Sequence, residues 1–148
     1  MKNIIILFII FLTGCGSTKY YVKGEEGQTV LAEREVVVVE NQETRSGFLS
    51  AITNWLDENN FSYSVTDEKP VDKPYLRYEG KWSWDLTIYL RNGFISLYDN
   101  GRLRSRCRIE VPNNLNLSKF NKGDKKIENM MDLLFYHDSS RKIKVIYE

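Results

Sequence analysis

The sequence predicts an α+β domain: a mixed, mainly antiparallel sheet in the order β-α-β-β-β-α-β, with two helices on one face. Three observations lead there. The β-branched run Glu35-Val36-Val37-Val38-Val39-Glu40 is followed by an apolar stripe at helical spacing, which opens a β-α-β unit. Alternating apolar and polar residues from Tyr75 onward, with Asp99-Asn100-Gly101 as a tight-turn signal, describe an antiparallel system. A second amphipathic segment then leads into a last alternating run, 141–148.

Taken in order, the run 35–40 is bounded by charges and continuously β-branched, which suits a central strand covered on both faces. Thr44 or Ser46 can cap the helix that follows, Ser46 to Glu58, where Leu49, Ile52, Trp55 and Leu56 form one stripe. Asn59-Asn60 tolerate the left-handed backbone that ends a helix. Phe61 to Val65 alternates as a strand, and Thr66 to Pro74 reads as a charged loop. From Tyr75, Leu76, Tyr78, Gly80, Trp82 and Trp84 share one strand face, opposite Arg77, Glu79, Lys81, Ser83 and Asp85. A second strand lies within Leu86–Asp99 and a third is Arg102–Val111. Asn92-Gly93 is read as a bulge within one long strand rather than a hairpin. After an Asn-rich connection, a helix from about Asp124 to Tyr136 turns Ile127, Met130, Met131 and Leu134 to the sheet. Ile143, Val145 and Tyr147 alternate in the closing strand, so 33–148 reads as one domain.

The leading segment carries the address. Lys2 precedes the unbroken apolar run Ile4–Leu12, which is shorter than the roughly 20 residues a membrane-spanning helix needs. A basic start, a short apolar stretch and small residues before a cut site describe a secretory signal. Leu12-Thr13-Gly14-Cys15 resembles a bacterial lipobox, which implies a signal peptide over 1–14, diacylglycerol on the Cys15 sulfur and acylation of the new amino group. A simple cleaved signal or a short N-terminal membrane helix, with Cys15 incidental, is the plainer alternative. Gly16 stands where, under the sorting rule of enteric bacteria, an Asp would hold the protein at the inner membrane. The expected location is therefore the periplasmic side of the outer membrane. Residues 15–32, polar and with two glycines at Gly24 and Gly27 beyond Gly16, read as lipidated cysteine and flexible tether, although Tyr20-Tyr21-Val22 has the composition to dock.

Removing 1–14 from 148 residues leaves 134, with 20 basic and 20 acidic side chains. So balanced a chain has no global electrostatic reason to bind nucleic acid. With Cys15 assigned to lipid, Cys107 is a lone thiol, expected as a small buried hydrophobe, and no disulfide is expected.

Trp82-Ser83-Trp84-Asp85-Leu86, Tyr89-Leu90 and Leu115-Asn116-Leu117-Ser118-Lys119-Phe120 resemble a family of small uncharacterised Gram-negative lipoproteins with an (R/K)WSWD motif and an LNLSKF segment. Arg45-Ser46-Gly47-Phe48-Leu49 is similar to the opening of that family's first helix. The resemblance implies the same address and an α+β sheet domain, and supplies no activity. The chain departs from the pattern at Asn92-Gly93 and in the arginine run that follows.

Arg102, Arg104, Arg106 and Arg108 alternate with Leu103, Ser105, Cys107 and Ile109, so their guanidinium groups share one sheet face about 7 Å apart. Such a row suits phosphate or carboxylate groups of an envelope ligand; the bland reading is a solvated face balanced by Glu79, Asp85 or Asp99. Trp82 and Trp84 are candidates for contact with a partner, since Trp is enriched at interface hot spots, or else are core beneath a helix. His137 beside Asp138 and Ser139 does not make a triad, because adjacent residues rarely converge on one reacting atom. One histidine and one free thiol give no zinc set, and no phosphate-cradling glycine loop is present. The expectation is a lipid-anchored, non-catalytic accessory protein of the cell envelope with a possible envelope protein partner and no cofactor beyond the covalent lipid.

Overall fold

A computed structural model describes residues 17–31, 33–113, 123–138 and 143–148. The elements are β1 (Lys19–Gly24), α1 (Gly27–Val30), β2 (Glu35–Val39), α2 (Ser46–Glu58), β3 (Ser62–Thr66), β4 (Tyr75–Asp85), β5 (Thr87–Asp99), β6 (Arg102–Glu110), α3 (Gly123–Tyr136) and β7 (Lys144–Tyr147). One mixed sheet runs β3-β2-β4-β5-β6-β1-β7. Its long pairings, β4–β5, β5–β6 and β1–β6, are antiparallel; β2–β3, β2–β4 and β1–β7 are parallel. The expected α+β class, with α2 and α3 on one face of the sheet, is what the chain adopts.

The β-α-β opening forms as the residues dictate. Val36 and Val38 bury in the apolar core and Val37 is buried on the opposite face of β2, which pairs with β3 on one side and β4 on the other. Along α2, Phe48, Ala51, Ile52, Trp55 and Leu56 are buried. Trp55 stacks near Phe61, Phe135 and Tyr136 and donates its Nε1 hydrogen to Asp132 Oδ1 at 2.7 Å, which ties α2 to α3. Neither expected cap forms. Arg45 holds the N-cap position without a side-chain bond, while Thr44 Oγ1 donates to the Gly80 carbonyl at 3.0 Å and so pins the helix start to β4. Asn60 takes the left-handed conformation (φ 58°) that releases the chain into β3.

The first correction is to the tether. Residues 19–24 are a strand inserted between β6 and β7, with Tyr20 at 2% and Val22 at 1% exposure. Tyr20 and Val22 alternate inward opposite Ile109 and Cys107, and Glu25 continues the bonding by donating its backbone N–H to Arg104 O at 3.1 Å. Three residues of alternation were too short to read as a strand without the neighbours that bury them. The expected element order is corrected too, since four strands, β3 to β6, separate α2 from α3.

β5 is one long strand, as the bulge reading of Asn92-Gly93 requires. Lys81 pairs with Asn92 and Trp82 with Leu90, leaving Arg91 as the extra residue. Gly80 and Gly93 face each other across β4 and β5, and a Cβ at Gly80 would lie 2.7 Å from Phe48 Cδ2. The pair clears the space in which Phe48 stacks on Tyr78 at 5.1 Å. Asn100 (φ 49°) and Gly101 (φ 71°) make the expected tight turn between Asp99 and Arg102. The second strand lies within Leu86–Asp99 as expected, and Leu86 itself is a one-residue reversal (φ 61°) between the paired Asp85 and Thr87. The closing strand is shorter than 141–148; Arg141, like Ser139 and the segment 115–120, lies outside the described residues.

Two outcomes test this architecture. A chain starting at residue 25 should lose its cooperative thermal transition, while one starting at residue 17 keeps it; equal melting curves would restore the tether. Gly80→Ala should destabilise the domain by about 1–3 kcal/mol in urea unfolding, because the added methyl group overpacks the seat of Phe48.

Candidate functional site

Two surfaces carry the predicted site residues, and the fold treats them oppositely. On β6 the alternation places Ser105, Cys107 and Ile109 in the core and Arg104, Arg106 and Arg108 on the face away from the helices. Burial pushes the Cys107 thiol far above its ordinary range, so it is a packed apolar group rather than a nucleophile.

The arginines are engaged within the domain. Arg104 pairs with Glu25 at 2.8 Å. Arg106 donates from Nε to Ser96 Oγ at 2.8 Å and lies 5.1 Å from the Phe94 ring centroid. Arg108 pairs with Glu110, approaches Glu148 at 3.6 Å and sits 4.1 Å over the Tyr21 ring. Tyr21 in turn donates its hydroxyl hydrogen to Glu110 Oε2 at 3.0 Å; that bond, with burial, raises the phenol's pKa. Glu25, Glu110 and Glu148, not the expected Glu79, Asp85 and Asp99, bear on the charge of Arg104 and Arg108. Two of them adjoin β1 and β7, elements whose place beside β6 no local spacing reveals. Arg102, beside the Asp99–Arg102 turn pair, is exposed.

The groove beside this strand, about 220 Å³, is lined by Glu79, Lys81, Asn92, Phe94, Arg108 and Glu110. Its charges alternate in sign, which gives an anion little net attraction.

The tryptophans separate. Trp82 is half-buried against the helix layer: its Nε1 hydrogen goes to Thr44 Oγ1 at 3.3 Å, and Arg45 lies 5.7 Å from its ring centroid. A Cβ at Gly123 would meet its ring edge at 3.1 Å, so the start of α3 rests on it. Trp84, two residues on, lies beyond that cover and is 74% exposed. Across the hairpin it pairs with Ile88, 47% exposed, and the reversal between them is Leu86, 80% exposed. Sequence reasoning placed Trp84 but missed Leu86 and Ile88. The signal was the apolar residue at every second position from Trp82 to Ile88, hidden because Leu86 is no turn former.

His137 ends α3 in the left-handed region (φ 47°), with Nδ1 3.9 Å from Glu26 Oε1. No metal-holding group of three or more His, Cys, Asp or Glu occurs among the described residues. Among those residues, no helix is long and apolar enough to cross a membrane. Cys15 lies outside them.

No family model and no curated protein matches the chain. Among solved structures it is similar to a minor lipoprotein from Acinetobacter baumannii, at 15% identity and a TM-score of 0.36, over 69% of this chain and 89% of that one.

Proposed function

We propose that the protein is a lipid-anchored component of the cell envelope, held at the periplasmic side of the outer membrane through Cys15, with a non-catalytic accessory role exercised by binding. The anchor reading rests on Lys2, the apolar run Ile4–Leu12 and Leu12-Thr13-Gly14-Cys15. The observation that carries the binding role is the concentration of large exposed apolar side chains, Trp84, Leu86 and Ile88, on one hairpin tip. Monomeric surfaces scatter such residues singly, and their clustering marks a contact.

A second reading assigns an anionic envelope ligand, bearing phosphate or carboxylate groups, to Arg102, Arg104, Arg106 and Arg108. In its favour, Arg104 Nε is buried with no hydrogen-bond partner and Arg102 is exposed. Against it, the carboxylates paired with Arg104 and Arg108 already occupy the forks such a ligand would use.

Two measurements test these readings. Alkyne-tagged palmitate should label the wild-type chain and not Cys15→Ala, which should leave the membrane fraction; an unlabelled wild type would remove the anchor. Titration with inorganic phosphate at low salt should leave the NMR signals of β6 unmoved. A saturable shift that disappears in the Arg104→Gln, Arg106→Gln double variant and at high salt would establish the second reading instead.

A further inference from the structure

We infer that the β4–β5 hairpin tip is a second membrane contact: Trp84, Leu86 and Ile88 seat in the interface of the phospholipid bilayer that holds the Cys15 lipid. The inference rests on Cys15 being acylated and names the partner of the tip.

Placement carries it. Lys19, Glu110, Asn92 and Lys81 lie on one row across the sheet, through the pairs Lys19–Glu110, Glu110–Asn92 and Asn92–Lys81. Past that row the hairpin runs five residues from Lys81 to Leu86, about 17 Å at strand rise; Val111 still donates its backbone N–H to Arg91 O at 2.8 Å and the start of α3 still covers Trp82, so the part that stands free of the sheet is the tip, Trp84 to Ile88. Strand β1 starts at the same row and runs the other way, from Lys19 to Gly24. The chain leading back toward Cys15 therefore leaves the sheet at the end from which the hairpin projects. Only three residues lie between Cys15 and Lys19, and the four steps from one to the other reach about 14 Å at most. Across the sheet, β1 and β5 are two strand spacings apart, about 10 Å. An anchor so short, at that end, brings the tip to the same surface.

The chemistry of the tip fits this occupant. Trp is the residue whose apolar body and N–H suit the headgroup boundary, and Leu86 and Ile88 offer aliphatic surface beside it. Leu86 occupies a left-handed turn position (φ 61°) that Gly or Asn would take without strain, so an aliphatic side chain is held at the point of the hairpin against local backbone preference. Arg45 and Arg91 are exposed around the hairpin's base, at the depth where a headgroup layer would meet them. Asp85, half-buried, is the one acidic residue of the 82–90 segment.

The test uses the mature, lipidated full chain in phosphatidylethanolamine–phosphatidylglycerol vesicles, with an environment-sensitive dye on Leu86→Cys or on Val71→Cys. Val71 is 82% exposed in the loop at the opposite end of β4 and serves as control. Cys107 is buried and the Cys15 sulfur blocked, so neither takes the dye. The dye at 86 should emit further to the blue and be quenched several-fold more strongly by lipids brominated in the upper acyl chain than the dye at 71. Trp84→Ser with Ile88→Ser should abolish the difference. Vesicle-bound protein whose two dyes respond alike overturns the inference, leaves the anchored reading standing and points to a protein partner for the tip. A chain that carries no acyl group and stays off the vesicles overturns both.

Discussion

The pairing of β1 with β6 is the constraint on which the rest of the molecule depends. Strand β7 hydrogen-bonds to β1, so β1 carries the far edge of the sheet. Tyr20 and Val22 complete the apolar layer over Cys107 and Ile109, and the Tyr20 hydroxyl accepts from Asn129 Nδ2 on α3 at 3.2 Å. Glu25, at the end of β1, supplies the carboxylate for Arg104. The same strand also sets where the N-terminal segment leaves the domain. Core, charge balance and the point where the N-terminal segment leaves the domain thus follow from one ladder.

That ladder explains why the row of arginines is quiet. A surface ion pair contributes only about 0–1 kcal/mol, but the effect here is on availability. Stacked on Phe94 and Tyr21 and facing Glu25, Glu110 and Glu148, Arg104, Arg106 and Arg108 are held in place by their own domain. The hairpin tip is the contrary case. Leaving Leu86 in water forgoes about 1.5–3 kcal/mol relative to full burial, and the half-covered Ile88 about half as much; a left-handed Leu costs about 1 kcal/mol more. A surface that bears those costs in one place is accounted for by contact with something apolar.

Much was legible in the sequence because it rests on local pattern. The valine run 36–39 fits only a strand with neighbours on both sides, the stripe from Leu49 to Leu56 fits only a helix on an apolar surface, and Asn100-Gly101 supplies the backbone that a tight turn demands. Asn92-Gly93 suited a hairpin or a bulge equally by its residue types, and the pairing of β4 with β5 decides for the bulge. Of the candidate site, the common face of the arginines and the exposure question at Trp82 and Trp84 were visible from period alone.

By itself, then, the sequence determined the fold class and the face each side chain takes within its own strand or helix. Tertiary structure alone decided which strands are neighbours and where the helix layer stops. Residues 19–24 become a strand only because β6 and β7 offer edges on both sides, and Glu25 finds Arg104 across a separation of 79 positions. Trp82 and Trp84 share a face, yet one lies beneath the start of α3 and the other beyond it. Period places a side chain on a face; whether that face is covered depends on elements distant in the chain, and no local spacing encodes them.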